Sequence, residues 1–226
     1  MTPPLDRPIW SALNGRQAEF AIGDARALRY AADVEPFAST ANDDPEYLAA
    51  LAELIDGRDP VLLIQATPSP LPPGTRLLGA ALGVQMLADG PVAGSRPAEA
   101  IALGDADSPE MIALAELTRP GPFRARTHHL GQFWGVRREG WLVAMAGERM
   151  KLPGMSELSG VCVHPEWRGH GFARALSAFV ANSIQQRGET PFLHAYADNV
   201  AAIALYEQLG FRLRAHMHVQ QLASDS

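Results

Sequence analysis

Arg168, Gly169 and Gly171 stand between an apolar run over residues 158–163 and an amphipathic stretch that begins with Phe172 and Ala173. Glycines in such a turn let backbone N–H groups converge on one point. A helix that follows adds its positive dipole end and its unpaired first-turn amides. That is the chemistry of holding a phosphate or pyrophosphate, and His170 lies inside the same turn. Two groups suited to moving protons flank it in sequence: the Glu157 carboxylate at the entry of the apolar run, and the Tyr206 phenol in a second helical stretch opened by Asn199.

Val161-x-Val163-x-Pro165 followed by Arg168-x-x-Gly171-x-Ala173 resembles the acetyl-coenzyme-A (acetyl-CoA) signature of the GNAT acyltransferase superfamily. A second block, Asn199-x-x-Ala202-x-x-Leu205-Tyr206-Glu207-x-Leu209-Gly210-Phe211, resembles the other recurring segment of that family, in the same order and at the same distance. The resemblance covers residues 97–221. It implies an N-acetyltransferase that moves an acetyl group from acetyl-CoA to a primary amine by direct attack in a ternary complex. It also implies that backbone groups around Val161, Cys162 and Val163 pair with the pantetheine arm, and that amides from Arg168 through Gly169, His170, Gly171, Phe172 and Ala173 hold the pyrophosphate. Tyr206 then becomes the general acid aimed at the cofactor sulfur, Asn199 a neighbour of the pantetheine, and Glu157 the base, acting directly or through water. Each residue also has a plain structural reading. Tyr206 could be a helical tyrosine packed on a sheet, Asn199 a helix cap, His170 a surface residue and Glu157 a solvated strand-end carboxylate, with Glu148 a rival base.

The elements that must position these groups follow from periodicity. Residues 45–54 have a helical pattern, and residues 61–66 and 77–87 read as strands. The Pro- and Gly-rich residues 89–97 read as a linker. Beyond it come a strand over residues 98–103, a helix from Ser108 with Pro109 in its first turn, and a hairpin over residues 132–146 turning at Arg138-Glu-Gly140. The apolar run 158–163, a helix from Phe172 to the stop at Gly188, a strand over 191–196, a helix over 200–209 and a last strand over 211–220 complete the order. The fold class is α/β in the α+β sense: a GNAT-like mixed, mostly antiparallel twisted sheet flanked by helices, preceded by a smaller N-terminal α/β domain. The anticipated units are residues 1–96, of unknown role and compatible with a degenerate copy of the second, and residues 97–226, which bind acetyl-CoA and catalyse.

Composition narrows the partners. With 226 residues, 47% apolar and 19% charged, the chain is ordinary globular material, and a net charge of −6 offers no basic footprint for nucleic acid. The single cysteine, Cys162, excludes an internal disulfide, the first residues lack the apolar core of a leader, and no run reaches membrane-spanning length, so the expected setting is cytoplasmic with no membrane partner. His128, His129, His216 and His218 come without a recognisable ligand pattern, so no metal is assigned. The acceptor is a small-molecule or peptide amine, and a homodimer is compatible with the sequence. Residues 119–129, with three arginines and two histidines, correspond in position to the family's acceptor loop. Two other readings remain: a non-catalytic acyl-CoA sensor or scaffold, and a dinucleotide-binding protein. Against the second, residues 165–168 separate the glycines from the strand, and Arg174 occupies the place of the third small residue.

Overall fold

Alternation along the strands divides the molecule into two cores on opposite faces of one sheet. In the computed structural model, which describes residues 3–225, the N-terminal elements are α1 (Pro8–Leu13), β1 (Ala21–Gly23), β2 (Ala27–Tyr30), β3 (Ala38–Thr40), α2 (Pro45–Ile55), β4 (Val61–Gln65) and β5 (Thr75–Leu87). Then follow β6 (Ala100–Leu103), α3 (Ser108–Thr118), β7 (Phe133–Arg138), β8 (Trp141–Leu152), β9 (Met155–Val163), α4 (Phe172–Gln186), β10 (Thr190–Tyr196), α5 (Val200–Gln208) and β11 (Arg212–Ser224). Residues 1, 2 and 226, the outer ends of the two anticipated units and part of the leader reading, lie outside the described residues.

The large sheet has eight strands in the order β4-β11-β5-β10-β9-β8-β7-β6 and is antiparallel except where β9 meets β10. Leu193 of β10 points toward α4, where Leu176, Val180, Ala181 and Ile184 are fully or almost fully buried with Val84, Met86, Leu158 and Phe211. Burial of each large aliphatic side chain there contributes about 1.5–3 kcal/mol. The neighbouring Phe192 points the other way, onto a second core made with Ile64, Met150, Met217, and Ile9, Leu13, Tyr30 and Phe37 of the N-terminal segment. The mixed sheet flanked by helices is the architecture the sequence pattern implies.

The division at residue 97 is corrected by this topology. β5 lies between β10 and β11, and β4 pairs with the outer side of β11, so strands from both anticipated units interleave in one sheet. The stretch read as a linker is sealed onto α4: Gln185 Oε1 accepts from Val92 N at 2.9 Å, and Asn182 Nδ2 donates to Gly94 O at 2.7 Å. The physical reason is that strand pairing is non-local, whereas proline and glycine content reports only the local chain direction. A three-stranded sheet, β1-β2-β3, adds to the face opposite α4 and joins the large sheet through a parallel bridge from Phe37 to Leu62.

Candidate active site

Two neighbouring strands part company in the middle of the sheet. The parallel ladder between β9 and β10 joins Met155 to Thr190, Ser156 to Pro191 and Glu157 to Phe192, and stops there. Further along, β9 stays on β8 through Cys162 and Val163, while β10 stays on β5 through Tyr196, leaving a notch between them. Gly160 opens this notch. Its φ of +61° sits at a shift of register against β8, and a Cβ there would come within 2.7 Å of Phe133 Cε1, so a side chain fits neither the backbone nor the space. His164 N donates to Val143 O across β8. By strand alternation the N–H groups of Val163 and Val161 therefore point away from β8, into the notch.

At the end of β9 the chain makes a short 3-10 turn over Pro165–Trp167 and passes through Gly169 and Gly171, with φ of +80° and +79°, into α4. Nothing lies within 4 Å of a Cβ built on either glycine, so the turn is open on its outer side. The first amides of the 15-residue α4 face that opening without intrahelical acceptors. A cleft of about 560 Å³ connects this turn to the notch, a size suited to a cofactor arm. It is lined by Val161, Cys162, Val163, Arg168, Gly169, Gly171, Phe172, Ala173, Asn199 and Tyr206. The structure thus brings together all but two of the site residues that the sequence pattern implies. His170 belongs to the turn, but its ring is exposed, with Nδ1 3.1 Å from the carbonyls of Trp167 and Arg168, and does not line the cleft. Glu157 is the other.

Local charge compensates for the acidic whole. Arg119 and Arg168 line the cleft, and neither side chain makes a hydrogen bond or ion pair with another described residue. Thr118 and Pro120 line it too. Arg119 and Pro120 belong by position in the sequence to the expected acceptor loop, yet they stand on this cleft because Met111 and Leu114 of α3 pack against Phe133 and Cys162. Asn199 caps α5 by accepting from Ala202 N at 3.2 Å. Tyr206 is 8% exposed, and its hydroxyl makes no hydrogen bond within the described residues. Burial, together with the nearby Cys162, pushes its phenol up to about 12. Burial likewise pushes the Cys162 thiol up to about 12, so it stays protonated and is no nucleophile.

Glu157 is not a solvated strand-end carboxylate. It is fully buried, accepting from Arg149 Nε and Nη2 at 2.9 Å each, from Met150 N at 3.2 Å and lying 2.8 Å from His194 Nδ1. Burial alone would raise its carboxyl, but the Arg149 guanidinium and the His194 contact hold it well below the usual range. A carboxylate so firmly ionised is a poor proton acceptor. The expectation that it serves as the base is replaced by a structural fact: it grips His194. Glu148 is also buried and pairs with Arg187 at 2.7 Å. Near the other end of the sheet, Asp105 Oδ1 lies 2.7 Å from Nε2 of both His128 and His129, a grouping that no sequence spacing announced.

The FR47-like protein family model matches residues 133–219, the span from β7 into β11. A GNAT-family crystal structure from Novosphingobium aromaticivorans is 45% identical, superposes with a TM-score of 0.93, and the match covers 99% of this chain and 100% of that one. The chain belongs to the GNAT family. Mycothiol acetyltransferase of Kocuria rhizophila is 46% identical to this GNAT chain over 68 residues, 30% of this chain and 22% of that protein. The [ribosomal protein bS18]-alanine N-acetyltransferase of Escherichia coli is 42% identical over 55 residues, 24% of this chain and 37% of that enzyme. The GNAT chain therefore matches well under half the length of these two acetyltransferases. Among the described residues no helix is long and apolar enough to cross a membrane.

Proposed function

We propose that this GNAT protein transfers an acetyl group from acetyl-CoA to a primary amine by direct attack within a ternary complex. One observation carries the reading: an open glycine turn at the start of α4, two unpaired strand edges, two unpartnered arginines and Tyr206 all converge on a single cleft. The residues fit the cofactor. Amides from Gly169 to Ala173 and the Arg168 side chain suit the pyrophosphate, with Arg119 nearby, and the notch-facing N–H groups of Val161 and Val163 suit the pantetheine arm and the thioester carbonyl. Acetyl-CoA supplies an activated acyl group. The protein's part is to align it, to polarise its carbonyl through the β9 amides, and to protonate the departing sulfur from Tyr206. A protonated Cys162 beside the site leaves no thiolate for a covalent acyl-enzyme, which favours direct attack.

The test has two parts. Acetyl-CoA at a hundred times its Kd should stabilise the protein by about 2.7 kcal/mol, several degrees in Tm, whereas NAD should leave Tm unchanged. Tyr206→Phe should keep that shift and lose ~10²-fold or more in the rate of thiol release where chemistry limits turnover. Since burial raises the phenol to about 12, Tyr206 remains protonated at neutral pH, and no alkaline fall in kcat below pH about 10 should be traceable to it. No shift with acetyl-CoA, or a shift with NAD alone, would remove the reading.

A further inference from the structure

Three side chains able to ligate a metal meet where the chain enters and leaves the segment around α3. Asp105 stands on a 3-10 turn, Asp105–Asp107, just before α3, and His128 and His129 stand on another, Thr127–Leu130, just before β7. They are 23 and 24 positions from Asp105, yet Nε2 of each ring lies 2.7 Å from the same Asp105 oxygen. The three ligand atoms fall within 4.8 Å of one another, and this is the only such gathering of His, Cys, Asp or Glu among the described residues. The transferase reading uses none of them. The 11 residues of α3, at about 1.5 Å each, put about 16 Å between this corner and Arg119 on the cofactor cleft.

The donors are held in place before any ion arrives. The His128 side chain is only 6% exposed, and its Nδ1 is buried without a hydrogen-bond partner among the described residues, so Nε2 is the nitrogen it presents. His129 packs edge-on against it, with ring centroids 4.5 Å apart at 84°. Both turns are pinned. Gly104 N donates to Asp107 Oδ2 at 3.0 Å and Arg137 Nη2 to Asp107 Oδ1 at 2.7 Å, while Thr127 Oγ1 accepts from Arg124 N and donates to Val34 O, each at 2.7 Å. Ser108 Oγ donates to Ala125 O at 2.8 Å and ties the two turns together. Asp105 is the adjustable arm, with its side chain 84% exposed. Little conformational freedom is therefore left to lose when the three close on an ion.

We propose that Asp105, His128 and His129 form a binding site for a divalent transition-metal ion of the zinc class, ligated by Nε2 of both imidazoles and by the Asp105 carboxylate, with water completing the shell. The site goes beyond the transferase reading and does not rest on it. Two imidazole nitrogens suit Zn²⁺ and its first-row neighbours, whereas Ca²⁺ takes six to eight oxygens and Mg²⁺ an octahedral oxygen shell. A tetrahedral ion with bonds of ~2.0–2.1 Å separates its donors by about 3.3 Å, so the carboxylate withdraws by roughly half an ångström from each ring, a movement its exposure allows. The lone pairs that bind the ion displace the ring protons to Nδ1 or to solvent. The bound ion clips together the two ends of the segment that carries α3, and so stabilises the fold.

The site departs from the sequence reading, in which the histidines come without a ligand pattern. Adjacent histidines say nothing of a carboxylate 23 residues away, and only the meeting of the two turns supplies the third donor. One other pair of histidines invites comparison. His216 and His218 are two residues apart on β11, and strand alternation puts them on one face, but no carboxylate or thiol joins them within ligating distance among the described residues. The proposal places the ion at the α3 corner.

The experiment uses the full chain, stripped with EDTA and dialysed, then titrated calorimetrically with ZnCl₂ beside melting curves, with MgCl₂ and CaCl₂ as comparison ions. The expected result is one zinc per chain with micromolar or tighter affinity. At a hundred times its Kd, zinc should raise Tm by several degrees, a rise that EDTA reverses and that Mg²⁺ and Ca²⁺ at the same concentration do not give. Asp105→Asn and His129→Ala alter the two exposed members, so each should melt within about 2 °C of the metal-free wild type while binding zinc at least tenfold more weakly. His216→Ala should bind zinc as the wild type does. Absence of zinc binding by the wild-type chain overturns the proposal and leaves a hydrogen-bonded triad. So does an equal Tm rise with Mg²⁺, or zinc affinity that survives in Asp105→Asn and His129→Ala. Loss of zinc binding in His216→Ala would move the ion to β11 and overturn it as well. The acetyl-CoA shift in Tm is measured separately on the metal-free protein, so failure of either reading leaves the other standing.

Discussion

Among the buried acids, Glu35 and Glu157 titrate in opposite directions though both are fully enclosed. Glu157 has Arg149 and His194 as partners and is held ionised. Among the described residues neither carboxylate oxygen of Glu35 has a hydrogen-bond partner, and burial, only partly offset by the charge of Arg149, pushes it up to about 8. A folded pKa above the unfolded one means stability that is complete below the ordinary carboxylate range and lost as pH rises from there through about 8. Wild-type Tm should therefore decline between pH 5 and 8.5. Glu35→Gln should flatten this decline and gain about 1–3 kcal/mol over the wild type at pH 8.5, as removal of an unpartnered buried charge allows. A melting series in the two proteins checks it; parallel curves would mean that Glu35 stays ionised in the fold. Glu157 works in the other window, since its depressed carboxyl stabilises above the usual range and loses that contribution on acidification. The contrast shows why Glu157, attractive by its place in the sequence, is unsuited to accept a proton.

The notch depends on elements being irregular where regularity would be stable. β9 is nine residues long, yet pairs with β10 only at its first three positions, and Gly160 in the left-handed region is what lets it turn away. Gly160→Ala places a Cβ 2.7 Å from the Phe133 ring in a backbone conformation that alanine resists. The variant should lose about 1–3 kcal/mol of stability and bind acetyl-CoA more weakly, because the strand must shift toward a regular ladder that narrows the notch. Denaturant melts and the acetyl-CoA Tm shift measure the two effects separately. Full retention of both would show that the bulge is incidental. At the other end of β9, the glycine turn and α4 were legible because their signals are local: φ above zero, an open approach and an apolar stripe all reside in consecutive residues. The bulge was not legible, since it depends on Phe133 reaching across from β7.

For the molecule as a whole, topology makes strands that precede residue 97 part of the same sheet as those that follow it. β11 lies between β4 and β5, both of which precede residue 97, and β10 has β5 as one of its two neighbours. A fragment of residues 97–226 would leave β11 without either ladder partner and strip the second core from the face of the sheet that carries Phe192 and Met217. That fragment should show no cooperative unfolding transition by circular dichroism, whereas the full chain melts in one. A fragment that melts cooperatively and binds acetyl-CoA would restore the two-unit division. The same arrangement explains how a chain with no motif in its first half can line a small concavity with Phe37, Leu62 and Ile64.

By itself the sequence determined the family resemblance, the strand–turn–helix that suits an anion, the tyrosine-bearing helix and most of the residues along one cleft. These rest on short-range rules, turn geometry, capping and periodicity, which act between neighbours in the chain. Only the tertiary structure decided where β5 pairs, that Glu157 is sealed against Arg149 and His194, that Glu35 is buried without a hydrogen bond among the described residues, and that the face opposite α4 carries a small concavity. Each of these is a meeting of residues from distant segments: His194 and Gln85 are 109 positions apart, and Glu157 and His194 are 37. Their chemistry depends on burial and on a partner's position, and both arise only when the strands are assembled.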